Sequence, residues 1–131
     1  MDREAIAVAP NGLTHGPGMS IGVKAGGFIF LSPIRGNPFG RQEYSSDTKE
    51  QTHLAFQKLK DTLAAWGATL EHVVKVTVYI QELEYRVAFH EVWMEYFPND
   101  PPARTIVVVK DANVMPGPDC HFALDVIALA P

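Results

Sequence analysis

The stretch QTHLAFQKLKDTLAAWGATLEHVVKVTVYI (residues 51–80) changes its period part-way along. Thr52, Ala55, Phe56, Leu59, Leu63 and Trp66 recur at spacings of three and four, which places them on one face of a helix. Asp47, with Glu50 three places on, resembles a capping box in which Asp replaces the usual Ser or Thr. Gly67 supplies the stop, so the pattern predicts a helix over about 47–66. From His72 the side chains alternate instead. Val74, Val76, Val78 and Ile80 fall on one face of a strand; Lys75, Thr77 and Tyr79 fall on the other.

The same reading extends outward in both directions. AIAVAP (5–10) predicts a short first strand. SIGVKAGGFIFLS (20–32) predicts two strands around the turn Ala25-Gly26-Gly27. PIRGNPFGRQEYSS (33–46) carries two prolines and two glycines and is expected to be a loop. LEYRVAFHEVWMEYF (83–97) returns to helical period with Val87, His90, Met94 and Phe97 in one stripe, and Pro98 ends it. RTIVVVK (104–110) and HFALDVIALA (121–130) predict two more strands around the turn-rich DANVMPGPD (111–119). Each helix follows a strand and precedes another. The expected fold is therefore α+β, a ferredoxin-like two-layer sandwich with two helices on one face of a mixed sheet. Neither a repeat nor a linker interrupts residues 1–131, which read as one domain. No helix remains to cover the second sheet face, where Tyr79, Val107, Val109 and Ile127 fall. A homo-oligomer is expected.

Composition narrows the function. With 15 acids against 11 bases the net charge is −4, and the densest basic group, KLK at 58–60, sits beside Asp61. Nucleic-acid binders carry a basic face, so that class of partner is not expected. No apolar run is long enough to span a bilayer, and the N-terminus lacks the form of a secretory signal. A cytoplasmic protein with no membrane partner is expected. The single Cys120 rules out an intrachain disulfide framework. The five histidines have no helical ligand spacing and no Cys-x-x-Cys is present, so no metal is expected. Nor does the glycine-rich GPGMSIGVKAGG match a phosphate-binding loop.

Arg104 is the most informative single residue. PPAR leads into the apolar run Ile106–Val109. A guanidinium can fork onto a carboxylate, and burying it without a partner is costly. Periodicity alone favours a strand-end charge paired with Asp100 or Glu95, or simply exposed.

GGFIFLS, the 51–80 stretch, FHEVWMEYFPNDPPARTIVVV and LDVIALA together resemble the RidA (YjgF/YER057c/UK114) family over nearly the whole chain. The most specific part is EYFP, a short polar gap, then PPAR and a valine-rich strand. The resemblance implies a chorismate-mutase-like fold and a homotrimer with ligand clefts between subunits. It implies cofactor-independent hydrolysis of reactive enamines and imines, such as 2-aminoacrylate, to keto acids and ammonia. It also makes Arg104 the anchor for a small carboxylate-bearing metabolite.

The sequence departs from the family pattern at several of these positions. Where archetypal deaminases carry the first glutamate of the last strand this chain has Ala123, whose methyl group neither accepts a proton nor orients water. Asp125 keeps the second acid. Met19 falls at the family tyrosine, and His90 at its helix asparagine. Ser32-Pro33-Ile34 replaces a serine-glycine-glutamine, leaving Ser32 and the 33–36 backbone to hold the rest of a substrate. The loop before the last strand is a few residues longer, with MPGPD in it. Two residues either side of Ala123, His121 and Asp125 are the expected proton-handling groups, with His121 favoured as base. The alternative for His121 is an exposed histidine at a strand start. A non-catalytic carboxylate-binding module is the second functional reading. RNA cleavage, an older label in this family, is disfavoured by the charge balance.

Overall fold

The computed structural model describes residues 1–110 and 116–131, so the segment expected as a turn-rich loop lies partly outside the described residues. Helix α1 runs over Thr48–Ala64. The Asp47 carboxylate accepts the Lys49 N–H at 3.0 Å and caps it. Glu50 accepts from the Ser45 hydroxyl at 3.0 Å, so the cap operates from Asp47 while Glu50 ties down the preceding loop. The face expected to be buried is buried: Thr52, Ala55, Phe56, Leu59 and Leu63.

Strands β2 (Gly22–Ala25) and β3 (Phe28–Leu31) form the expected hairpin. Its turn is the pair Gly26–Gly27, both at positive φ, and Ala25 stays in the strand opposite Phe28. Two expectations are corrected at the N-terminal side. Strand β1 is Arg3–Ile6 rather than 5–10, and Val8 makes only an isolated bridge to Thr14. The segment 33–46 is not loop throughout, because Ile34–Arg35 form a two-residue strand, β4, paired with Leu124 and Ala123.

Strand β5 (Val73–Ile80) buries Val76, Val78 and Ile80 as expected, but Val73 rather than Val74 is buried at its start. A register shift between Val73 and Lys75 inserts one residue and inverts the alternation there. A 3-10 turn at Leu83–Tyr85 leads into helix α2, Arg86–Tyr96. The expected stripe on this helix is also corrected. Val87 and Met94 are 64% and 52% exposed, and the buried face is Phe89, Val92 and Trp93. Apolar residues surround α2, so two stripes satisfy the helical period. The larger aromatic rings occupy the core because they remove more apolar surface from water.

Strands β6 (Ala103–Val108) and β7 (Phe122–Leu129) complete a sheet of order β1-β2-β3-β7-β5-β6, with β4 also on β7. Among the described strands only β5 and β6 pair in parallel, across the α2 crossover. Both helices pack on one face of this mixed sheet, as expected. Phe56 lies at the centre of their contact, its ring 4.9–6.0 Å from those of Phe89, Trp93, Tyr96 and Phe97. No described helix covers the other face, which presents Phe28, Phe30, Val107 and Leu129, with Phe30 46% exposed.

Phe56→Ala is expected to lower the unfolding free energy by about 3–5 kcal/mol, since four rings lose their common contact. Urea denaturation measures it, and a loss below about 1 kcal/mol would place the core elsewhere.

Candidate functional site

Arg104 stands on the edge strand with its side chain on the helix-covered face. Its guanidinium lies 4.7 Å from the centroid of the Trp93 ring, and Nη1 is 3.1 Å from His90 Nδ1. Strand β6 supplies the arginine and α2 both partners, because the crossover lays that helix over the edge. Burial and the nearby Arg86 lower the Arg104 pKa, yet a guanidinium stays protonated. Among the described residues no ion pair includes Arg104, and neither Asp100 nor Glu95 takes it up. The residue is a half-buried, stacked cation beside a second cation. That arrangement suits an incoming carboxylate.

The other expected residues lie apart from this pair. Met19 is exposed in the segment before β2. The Ser32 hydroxyl donates to the Ser20 carbonyl at 2.7 Å, which commits its proton to the backbone. Asp125 is exposed on the uncovered sheet face, opposite Thr77.

His121 does not share that face, contrary to the strand alternation. It precedes β7, its N–H donates to the Gln51 side chain at 3.0 Å, and it is 7% exposed. Its ring stacks on Tyr85 at 3.9 Å, and Nδ1 is 2.8 Å from the Thr48 hydroxyl. It is therefore neither an exposed strand-start histidine nor a neighbour of the Asp125 carboxylate. Burial lowers its pKa against the opposing pull of Asp119 and Asp47, so the neutral ring is favoured.

Ala123 is fully buried among Cys120, Tyr44, Tyr79 and Val109. Cys120 is buried too, and its thiol points at the Phe122 carbonyl, 3.3 Å away. Burial pushes the thiol pKa up, the opposite of an activated nucleophile.

Sequence reading missed a second concavity. A cavity of about 680 Å³ is lined by the 12–16 and 33–42 segments, Tyr44, Pro116 and Lys58. Lys58 belongs to KLK, but it turns inward and donates to Asn37 Oδ1 at 2.7 Å while Lys60 stays exposed. Burial and then Arg35 pull the Lys58 amine down to about 8. His15 is likewise lowered by burial, then by Arg35 and Lys58. Helical phase was the available signal, since Lys58 lies three and four positions from Ala55 and Thr62 of the buried face.

The family described as Endoribonuclease L-PSP matches residues 16–130. The chain belongs to the RidA (YjgF/YER057c/UK114) family. A RutC family protein of Pyrococcus abyssi is 40% identical over 91 residues, 67% of this chain and 70% of its own. Reactive Intermediate Deaminase A, chloroplastic, of Arabidopsis thaliana is 29% identical over 104 residues, covering 79% of this chain and 55% of that protein. The crystal structure of yeast Mmf1 superposes with a TM-score of 0.86 at 21% identity, over 99% of this chain and 100% of the other. That likeness carries the fold, an open mixed sheet with two helices on one face. The RidA family includes reactive-intermediate deaminases, which supports a Rid-type role here. No helix among the described residues is long and apolar enough to cross a membrane.

His15 and His121 give the chain a predictable acid sensitivity. Both folded pKa values lie below the ordinary 6.5, so below that value the unfolded chain binds more protons. The stability they contribute is complete above 6.5 and is lost as pH falls through the folded values. The urea midpoint should drop on acidification through this window, and less steeply in His121→Gln. An unchanged slope in the variant would show that burial of the ring is not proton-linked.

Proposed function

We propose that this protein is a cofactor-independent enamine and imine hydrolase of the Rid type, acting on a small carboxylate-bearing substrate. The observation that carries the reading is Arg104, stacked on Trp93, held at His90 and without a carboxylate of its own among the described residues. The guanidinium fixes the substrate carboxylate by two parallel hydrogen bonds. Water then adds to the imine carbon, the nitrogen takes a proton, and ammonia leaves as the carbonyl forms. Stacking on Trp93 restricts the arginine to one plane, which lowers the entropy lost on binding.

The site is proposed to lie between chains of a homotrimer in the cytoplasm. Two observations support its division. Arg104 and His90 stand at the sheet edge under α2, whereas Met19, Ser32 and Ala123 belong to other parts of the chain. The exposed Phe28, Phe30, Val107 and Leu129 give a second copy an apolar face to cover. Asp125 takes the proton role in this reading, being exposed where His121 is buried against Tyr85. His121 is retained as a positioning residue.

Ala123 favours a second reading, a binding module without turnover. Its side chain is a methyl group packed against Cys120, Tyr44, Tyr79 and Val109, and it can activate no water itself.

Ammonia release from 2-aminoacrylate generated in a coupled assay separates the two. On the first reading Arg104→Lys lowers kcat/KM roughly ten- to a hundred-fold, because an ammonium does not reproduce the planar fork. Asp125→Asn lowers kcat. Turnover unaffected by either substitution removes the hydrolase assignment as drawn. Calorimetric binding of 2-keto acids without any turnover establishes the module. A charge placed on the open face, Phe30→Asp, should shift sedimentation from three chains to one.

A further inference from the structure

Arg104 has a second guanidinium for a neighbour. Arg86, the first residue of α2, is exposed and lies close enough to Arg104 to lower its pKa. Arg86 and His90 are four positions apart, so they share a face of the helix with about 5–6 Å between their Cβ atoms. His90 Nδ1 in turn lies 3.1 Å from Arg104 Nη1. Arg86, His90 and Arg104 thus form one rim, with the Trp93 ring against the Arg104 guanidinium.

The acids nearest in sequence do not neutralise this rim. Among the described residues no ion pair includes Arg86 or Arg104. Glu82, in the turn before α2, is taken by Lys110 at 2.8 Å. Glu91 and Glu95 turn to α1, where they meet Lys49 and His53. Nor is there an acid in the first turn of α2, where the cation of Arg86 opposes the helix dipole. Two like charges held together repel, and the repulsion is relieved most fully when two opposite charges arrive with them.

We propose that the ligand of this site carries two carboxylates, one forked by Arg104 and the other met by Arg86. The substrate class is then the imine or enamine of a 2-oxo dicarboxylic acid. This rests on the reading of Arg104 as a carboxylate anchor and not on turnover. The carboxylate beside the reacting carbon sits between Arg104 and His90. The second lies one or two methylenes further along, a reach comparable with the turn of helix between His90 and Arg86. Both carboxylates survive hydrolysis, so the 2-oxo dicarboxylic acid itself probes the site. Val87 and Met94, exposed on the same side of α2, would instead suit an apolar side chain. Arg86 decides between the two, because covering a guanidinium with an apolar group strips its water and returns no hydrogen bond.

Pyruvate, 4-methyl-2-oxopentanoate, oxaloacetate and 2-oxoglutarate are titrated into the full chain by calorimetry at low ionic strength and neutral pH. At least one of the two dicarboxylic acids should bind roughly five-fold or more tightly than pyruvate. Added salt should shrink that ratio, because the contact with Arg86 is exposed. Arg86→Gln should bring the ratio close to one, and Arg86→Glu should reverse the preference. The urea midpoint of both variants should match that of the unsubstituted chain, which separates lost preference from lost fold. Equal binding of pyruvate and the dicarboxylic acids, tightest binding of 4-methyl-2-oxopentanoate, or a ratio unmoved in Arg86→Gln overturns the inference and leaves the Arg104 anchor standing. No binding of any of the four acids, or binding unaffected by Arg104→Lys, removes the anchor and this inference with it.

Discussion

The antiparallel pairing of β5 with β7 is the constraint on which the rest depends. It joins the β1-β2-β3 meander to the edge strand β6, and it sets the parity of every central side chain. With Val76 opposite Val126 and Val78 opposite Leu124, the apolar residues of both strands turn to the helices together. The same register puts Thr77 with Asp125 and Tyr79 with Ala123 on the other side. A slip of one residue would exchange the two sets. The register shift between Val73 and Lys75 breaks that parity at the start of the strand, so that Val73 turns to the core beside Ala68 while the alternation holds from Lys75 onward.

Much of this architecture is legible in the sequence, because one-sided burial writes itself as a period. Helix α1 has polar residues on its outer side, so its inner face stands out. Helix α2 has apolar residues on nearly all sides, so its phase is set by tertiary packing, in which Phe89 and Trp93 outcompete Val87 and Met94. The two-residue β4 lies below the length at which alternation carries a signal, and prolines and glycines conceal it. Sequence resemblance singled out Arg104 as a candidate, but its stacking on Trp93 depends on where α2 crosses the edge. His121 misled for a different reason. Alternation applies only inside a strand, and this residue stands one position outside it, where the contacts of Gln51 and Thr48 decide its direction.

Like charges lie close together at two places on the molecule. Net charge is negative, yet the half-buried Arg104 has the exposed Arg86 nearby and the half-buried Lys58 has Arg35 nearby, each neighbour lowering the pKa of the other cation named. A small anion approaching the protein meets attraction only at close range, within roughly a Debye length of about 8 Å. Such a pattern selects for compact anions and against extended polyanions, consistent with the missing basic face.

One imidazole connects three distant parts of the chain. The ring of His121 touches the first turn of α1 through Thr48, 73 residues earlier, and lies flat on Tyr85 at the entry to α2. Closing so long a loop loses chain entropy that local contacts do not return. The ring is seated only when β7 has docked between β3 and β5, which brings the C-terminal quarter of the chain against its middle. Seating the His121 ring therefore needs long-range contacts with Thr48 and Tyr85 together. Through the stack on Tyr85 and the contact with Thr48, the start of β7 is tied to the entry of α2 and the first turn of α1 at once.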